Sequence, residues 1–138
     1  MTEPLLTGGC LCGGVRFEVS EPPAFASYCH CTRCQRRSGT AASAQARIVP
    51  GSLRVTAGED LLRGFQPETG STKVSCSRCG SQLWAYRAEE PDALAVRMGA
   101  FDGDPGVRPS YRQYVAYAAT WEPIPEDGLP RYPEARPT

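Results

Sequence analysis

Seven cysteines constrain this 138-residue chain more than any other feature, because they fall into three tight clusters. Cys10 and Cys12 are spaced C-x-C, Cys29, Cys31 and Cys34 are spaced C-x-C-x-x-C, and Cys76 and Cys79 are spaced C-x-x-C followed by Gly80. Thiolates are good ligands for borderline-soft ions such as zinc, and close spacing lets several sulfurs converge on one ion. The outer pairs together make a closed four-sulfur set, and a fold that uses it must bring two distant segments of chain together. An isolated C-x-x-C is also the spacing of a redox pair. The unpaired Cys10 and Cys12, and the glycine after the second thiol, favour a zinc knuckle at Cys76 and Cys79.

Cys29, Cys31 and Cys34 remain as a set of three. Four thiolates on a dication leave a net charge of minus two and a poor Lewis acid. Three leave minus one and a free position, the arrangement of catalytic or substrate-binding zinc. Two zinc ions per chain are expected, one structural and one open to a thiol that binds as thiolate. In an extended backbone Cys29 and Cys31 share a face, so His30, the lone histidine, points away from them. Arg33, Arg36 and Arg37 follow the thiols directly, and Arg36 and Arg37 are candidates to hold a substrate carboxylate.

Composition narrows the rest. With 14 glycines and 13 prolines, short strands joined by turns are expected and long helices are not. Alternating apolar and polar residues predict strands over 15–19, 42–48, 82–87 and 93–98, with shorter ones at 53–55 and 61–65. Glu90-Pro91-Asp92 is the expected hairpin turn, and 111–119 a further strand. Trp84 and Tyr86 are expected as core or sheet-face aromatics. One domain over 1–138 is expected, with a core over about 5–122 and an extended proline-rich tail over 123–138, anchored by Ile124, Leu129 and Tyr132. Lys and Arg balance Asp and Glu at 15 each, which gives no footprint for nucleic acid. No stretch reads as a signal peptide or membrane span, so a reducing, cytoplasmic setting and no membrane partner are expected.

The segments Gly9-Cys10-Leu11-Cys12-Gly13, residues 29–39 from Cys29 to Gly39, Cys76-Ser77-Arg78-Cys79-Gly80-Ser81, and Trp121 together resemble the glutathione-dependent formaldehyde-activating enzyme family, which includes centromere-protein-V-like proteins. The likeness spans roughly residues 5–125. It implies a mainly β fold with little helix, a β-tent of twisted antiparallel sheets pinned by zinc. It implies a structural zinc on Cys10, Cys12, Cys76 and Cys79, and a labile zinc near glutathione on Cys29, Cys31 and Cys34. The implied activity joins formaldehyde to glutathione, a reaction classed in reverse as a carbon–sulfur lyase. Many members carry a histidine at about the position of Arg112, which this chain lacks.

Three functions are therefore open: a zinc-dependent enzyme acting on a glutathione-like thiol adduct, a non-catalytic zinc module that binds a protein partner, and a thiol redox protein. The residues identify no catalytic group beyond the second zinc, and they leave the oligomeric state open.

Overall fold

Period-two alternation builds both sheets, and strand register then decides which residues meet. The computed structural model describes residues 4–137. The expected loose start over residues 1–7 lies partly outside them, at 1–3; Leu6 and Thr7 already belong to a strand. Strands β1 (Leu6–Gly9), β2 (Arg16–Val19) and β5 (Leu53–Ala57) form a three-stranded antiparallel sheet in the order β1-β2-β5. The remaining strands are β3 (Phe25–Cys29), β4 (Ser43–Arg47), β6 (Leu62–Phe65), β7 (Thr72–Cys76), β8 (Gln82–Arg87), β9 (Glu90–Arg97) and β10 (Pro109–Gln113). They form a seven-stranded sheet in the order β10-β3-β4-β9-β8-β7-β6. Every pair in it is antiparallel except β10 with β3. The fold is mainly β, as expected.

One row of paired residues crosses this sheet as Ala26, Ala46, Val96, Trp84, Val74 and Gly64. Five of the six are buried members of the core. Phe17 of β2 meets the row edge-on, 5.8 Å from Trp84 and 5.9 Å from Phe101, and joins the two sheets. Full burial of Val15, Phe17, Val19, Ile48, Leu83 and Val96 contributes roughly 1.5–3 kcal/mol for each large side chain. The adjacent row runs Phe25, Arg47, Ala95, Ala85, Lys73 and Phe65, and it faces the other way. Of the small residues foreseen on this strand, Ala46 packs the core and Ala44 is half-buried on the same face, while Ser43, Gln45 and Arg47 serve the opposite face.

Three local expectations change. The β8–β9 turn is Ala88-Glu89, and Pro91 lies inside β9 where the register is irregular, a place that tolerates a missing N–H. Strand β10 stops at Gln113 because Tyr114 takes a left-handed conformation (φ 58) and a 3₁₀ turn follows over Val115–Tyr117. A short helix, α1 (Thr32–Ser38), grows from the central cysteines and ends at Gly39.

The segment after residue 123 returns along the large sheet. It runs beside β10, with Arg112 N–H donating to Pro130 O (2.9 Å) and Tyr132 N–H to Arg112 O (2.8 Å). Ile124, Leu129 and Tyr132 are half-buried while most of their neighbours are exposed. Tyr132 packs edge-on against Tyr111 at 5.9 Å.

Candidate metal centres and the cavity beside them

The first cluster is built by two turns that end alike. Gly13 (φ 78) follows Cys12 and Gly80 (φ 79) follows Cys79, both in the left-handed region where a Cβ is strained. Gly13 N–H donates to Cys10 O (3.1 Å) and Gly80 N–H to Cys76 O (2.8 Å), which curls each turn around its sulfurs. Leu11 N–H donates to Ser81 Oγ (2.9 Å) and links the turns. Cys10, Cys12, Cys76 and Cys79 converge with all four sulfurs within 4.8 Å of one another. Cys10 and Cys12 Sγ are 3.5 Å apart and Cys12 and Cys76 Sγ 3.9 Å apart. A tetrahedral zinc with Zn–S bonds of about 2.3 Å needs sulfurs roughly 3.8 Å apart, so this donor set fits zinc. Backbone N–H of Val15 (3.2 Å) reaches Cys10 Sγ, and Arg78 Nε (3.3 Å) reaches Cys12 Sγ. Hydrogen bonds from the Gly14 backbone and from Arg78 lower the Cys12 pKa, and the Ser81 hydroxyl and N–H bring Cys79 down to about 5. Both effects favour the thiolates a metal requires.

The second cluster stands at the junction of β3 and α1. Cys29 ends β3 and is buried, Cys31 caps α1, and Cys34 lies buried in its first turn. The helix brings Cys34 over Cys31, and Cys34 N–H donates to Cys31 Sγ at 3.4 Å. Their three sulfurs also lie within 4.8 Å of one another. Hydrogen bonds from the Cys29 and Cys34 thiols and from helix-start amides hold the Cys31 pKa low; hydrogen bonds to the Cys31 and Cys34 sulfurs, together with burial, push Cys29 up. One thiolate shared among three sulfurs is an arrangement a cation stabilises.

This trio opens on a cavity of about 190 Å³ over the second face of the large sheet. Arg33, Arg47, Lys73, Arg87 and Arg97 line it, with Ala85 and Ala95 between Arg47 and Lys73. Phe25 and Tyr111 form a wall, their rings 6.2 Å apart. No carboxylate lines it among the described residues. Lys73 is 8% exposed, and its burial lowers its pKa although the Cys34 sulfur opposes that. Arg97 Nη1 donates to Gln45 Oε1 (2.8 Å), which also accepts from Ser43 Oγ (2.7 Å). The Nε atoms of Arg47 and Arg97 are buried without a hydrogen-bond partner among the described residues.

The expected arginines fall elsewhere. Arg36 is exposed and Arg37 half-buried, and both border an apolar surface hollow with Phe65 and Pro67. Neither lines the cavity; of the three arginines after the thiols, only Arg33 does. His30 points away from the thiols as expected, and its Nε2 accepts from Arg112 Nη1 at 3.2 Å. Burial and the cationic Arg112 lower its pKa. Arg112 is itself buried, pairs with Asp127 of the tail (2.8 Å), and covers the Tyr28 ring at 4.2 Å. It does not line the thiol cavity. The cavity cations on β4, β7, β8 and β9 escaped sequence reading because each is one polar position in an ordinary strand. Their only common signal is that all are odd-numbered positions on strands that turn out to be adjacent.

A mainly β chain with two cysteine sets suited to zinc defines the class, and comparison with known proteins supplies the family. The profile of the family described as glutathione-dependent formaldehyde-activating enzyme matches residues 5–117. The chain belongs to that family. A protein of Halomonas elongata, named provisionally as a glutathione-dependent formaldehyde-activating enzyme, is 31% identical over 106 residues, which is 72% of this chain and 68% of that protein. A crystal structure of a Rhodobacter sphaeroides protein superposes with a TM-score of 0.54 at 26% identity, over 91% of this chain and 98% of the other. No helix among the described residues is long and apolar enough to cross a membrane.

Proposed function

We propose that this protein is a zinc-dependent enzyme that joins formaldehyde to a glutathione-like thiol, and in reverse acts as a carbon–sulfur lyase. One observation carries the reading: three convergent thiols open on a cavity lined by five cationic side chains and, among the described residues, no carboxylate. That combination suits a ligand with a sulfur at one end and carboxylates at the other.

Cys29, Cys31 and Cys34 would hold one zinc, and Cys10, Cys12, Cys76 and Cys79 a second, structural one. Zinc on three thiolates retains Lewis acidity and lowers the pKa of a thiol beside it. The chain's own residues do the rest. Arg47, Arg97 and Lys73 grip the carboxylates, and the Ser43–Gln45 pair fixes the Arg97 guanidinium. Ala85 and Ala95 leave room for the ligand's backbone. Phe25 and Tyr111 exclude water from one side. In the net reaction a bond forms between the thiol sulfur and the carbonyl carbon. The carbon–oxygen π bond opens, and the proton that left sulfur ends on the new hydroxyl.

Thiols add to formaldehyde unaided, so the test is exchange spectroscopy by NMR on glutathione and formaldehyde with and without zinc-loaded protein. Exchange should accelerate with the native chain and return to background with Cys31→Ser. Equal exchange rates with and without native protein would remove the enzymatic reading.

A further inference from the structure

The described residues make five ion pairs, through Arg16, Arg54, Arg108, Arg112 and Arg131. None of the five cations lining the thiol cavity is in that set. The contrast is not one of exposure: Lys73 is more than nine-tenths buried, yet it has no carboxylate partner among the described residues. Strand pairing forces the cations together. Arg47 and Lys73 belong to one cross-strand row, separated only by Ala95 and Ala85, and Arg97 lies two residues along β9 from Ala95, on the same face and opposite Gln45. The strongest neutral acceptors are already taken: Gln45 Oε1 by Arg97 and Ser43, and Gln113 Oε1 by the Arg136 N–H. Beyond the three sulfurs, which the metal and the ligand's own thiol engage, the site can therefore neutralise several negative charges and offers an ammonium neither a carboxylate nor a free amide oxygen.

Glutathione carries two carboxylates and one ammonium. We infer that this cavity selects a thiol with two or more anionic groups and no free ammonium, so that glutathione is a second-rank ligand. This rests on the thiol-binding reading above and deepens it. The physical reason is repulsion: an ammonium drawn in by its own carboxylates is placed beside buried Lys73 and half-buried Arg47 and Arg97, where water screens charge less than at an open surface.

Calorimetric titration of the zinc-loaded chain with glutathione and with N-acetylglutathione, which differs by loss of the ammonium, tests it directly. The acetylated thiol should bind at least about tenfold more tightly. Ser71→Asp, which puts a carboxylate on the cavity lining without touching a cation or a thiol, should narrow that ratio. The S-methyl forms of both ligands present no thiolate and should keep the same order with weaker binding. If glutathione binds as tightly as its acetylated form, the selectivity is wrong and the thiol reading stands. If the S-methyl pair keeps its order but free thiols gain nothing over it, the anion cradle is right and the sulfur-binding reading fails. If no thiol of either kind binds, both are overturned.

Discussion

The two cysteine clusters use the same ligand atom in opposite structural settings. Cys76 is 1% exposed and belongs to the hydrophobic core, and Cys10 and Cys79 pack against that core. This cluster joins the three-stranded sheet to β7 and sits where the fold is held together. The Cys29, Cys31 and Cys34 cluster hangs on one strand end and one short helix, and it faces a cavity of charged side chains rather than the core. Metal chemistry divides the same way: a full sulfur set closes a site, and a set of three leaves it reachable. The four-sulfur set is bound into the core; the three-sulfur set is kept beside a cavity.

The largest test of this contrast replaces one cysteine in each cluster. Cys76→Ser should cost on the order of 10 kcal/mol, as losing a structural zinc does, and abolish the cooperative thermal transition. Cys34→Ser should keep the transition and lower zinc content by one ion per chain. Equal loss of the transition in both variants would erase the distinction. Phe17→Ala removes the ring between Trp84 and Phe101 and should cost about 3–5 kcal/mol. Stepwise chelation should then release the zinc of the Cys10, Cys12, Cys76 and Cys79 site more readily, while the triad's affinity stays unchanged. Gly80→Ala meets no steric neighbour, but its left-handed backbone should make it cost roughly 1–2 kcal/mol. Denaturant titration reads that loss, and glutathione binding should not move.

The smallest effect concerns the rim of the small sheet. Arg16 and Thr7 bond Asp102 and depress its pKa to about 2. A depressed carboxylate stabilises the fold above its ordinary pKa, and the contribution is lost as pH falls through about 2. With the Asp102 side chain 45% exposed, solvent screens the pair, so Asp102→Asn should cost less than about 1 kcal/mol near neutral pH. A melting series in acid should show native and variant converging as pH falls through that range. A larger cost at neutral pH would make this rim part of the scaffold that the four-sulfur cluster holds.

Most of what was legible before folding came from short-range pattern. The grouping of the cysteines, the strands over 15–19, 42–48 and 82–87, and the orientation of His30 all follow from alternation and ligand spacing, and the structure agrees with them. Helix α1 was harder to foresee, because a thiol occupies the capping position usually held by Ser, Thr, Asp or Asn. The expected turn at Glu90-Pro91-Asp92 missed for a related reason. Proline signals a turn locally, but an irregular register inside a sheet accepts it equally well.

Arg36 and Arg37 show the limit of nearness in sequence. They follow the thiols closely, yet α1 turns Arg36 out to solvent and places Arg37 beside Phe65 and Pro67. Lys73 and Arg97 are far from the thiols in sequence and line the same cavity.

The sequence by itself determined which sulfurs can share an ion, because ligand type, number and local spacing are chemical properties that survive in any fold. It also determined which residues of each strand share a face, because that period is a property of extended backbone. Only the tertiary structure decided which strands become neighbours and in what register. That choice gathers Arg47, Lys73 and Arg97 on one surface and leaves them without a carboxylate partner among the described residues. Pairing is set by burying the Ala26 to Val74 row against Phe17, so the charge of the cavity is the reverse side of a packing decision.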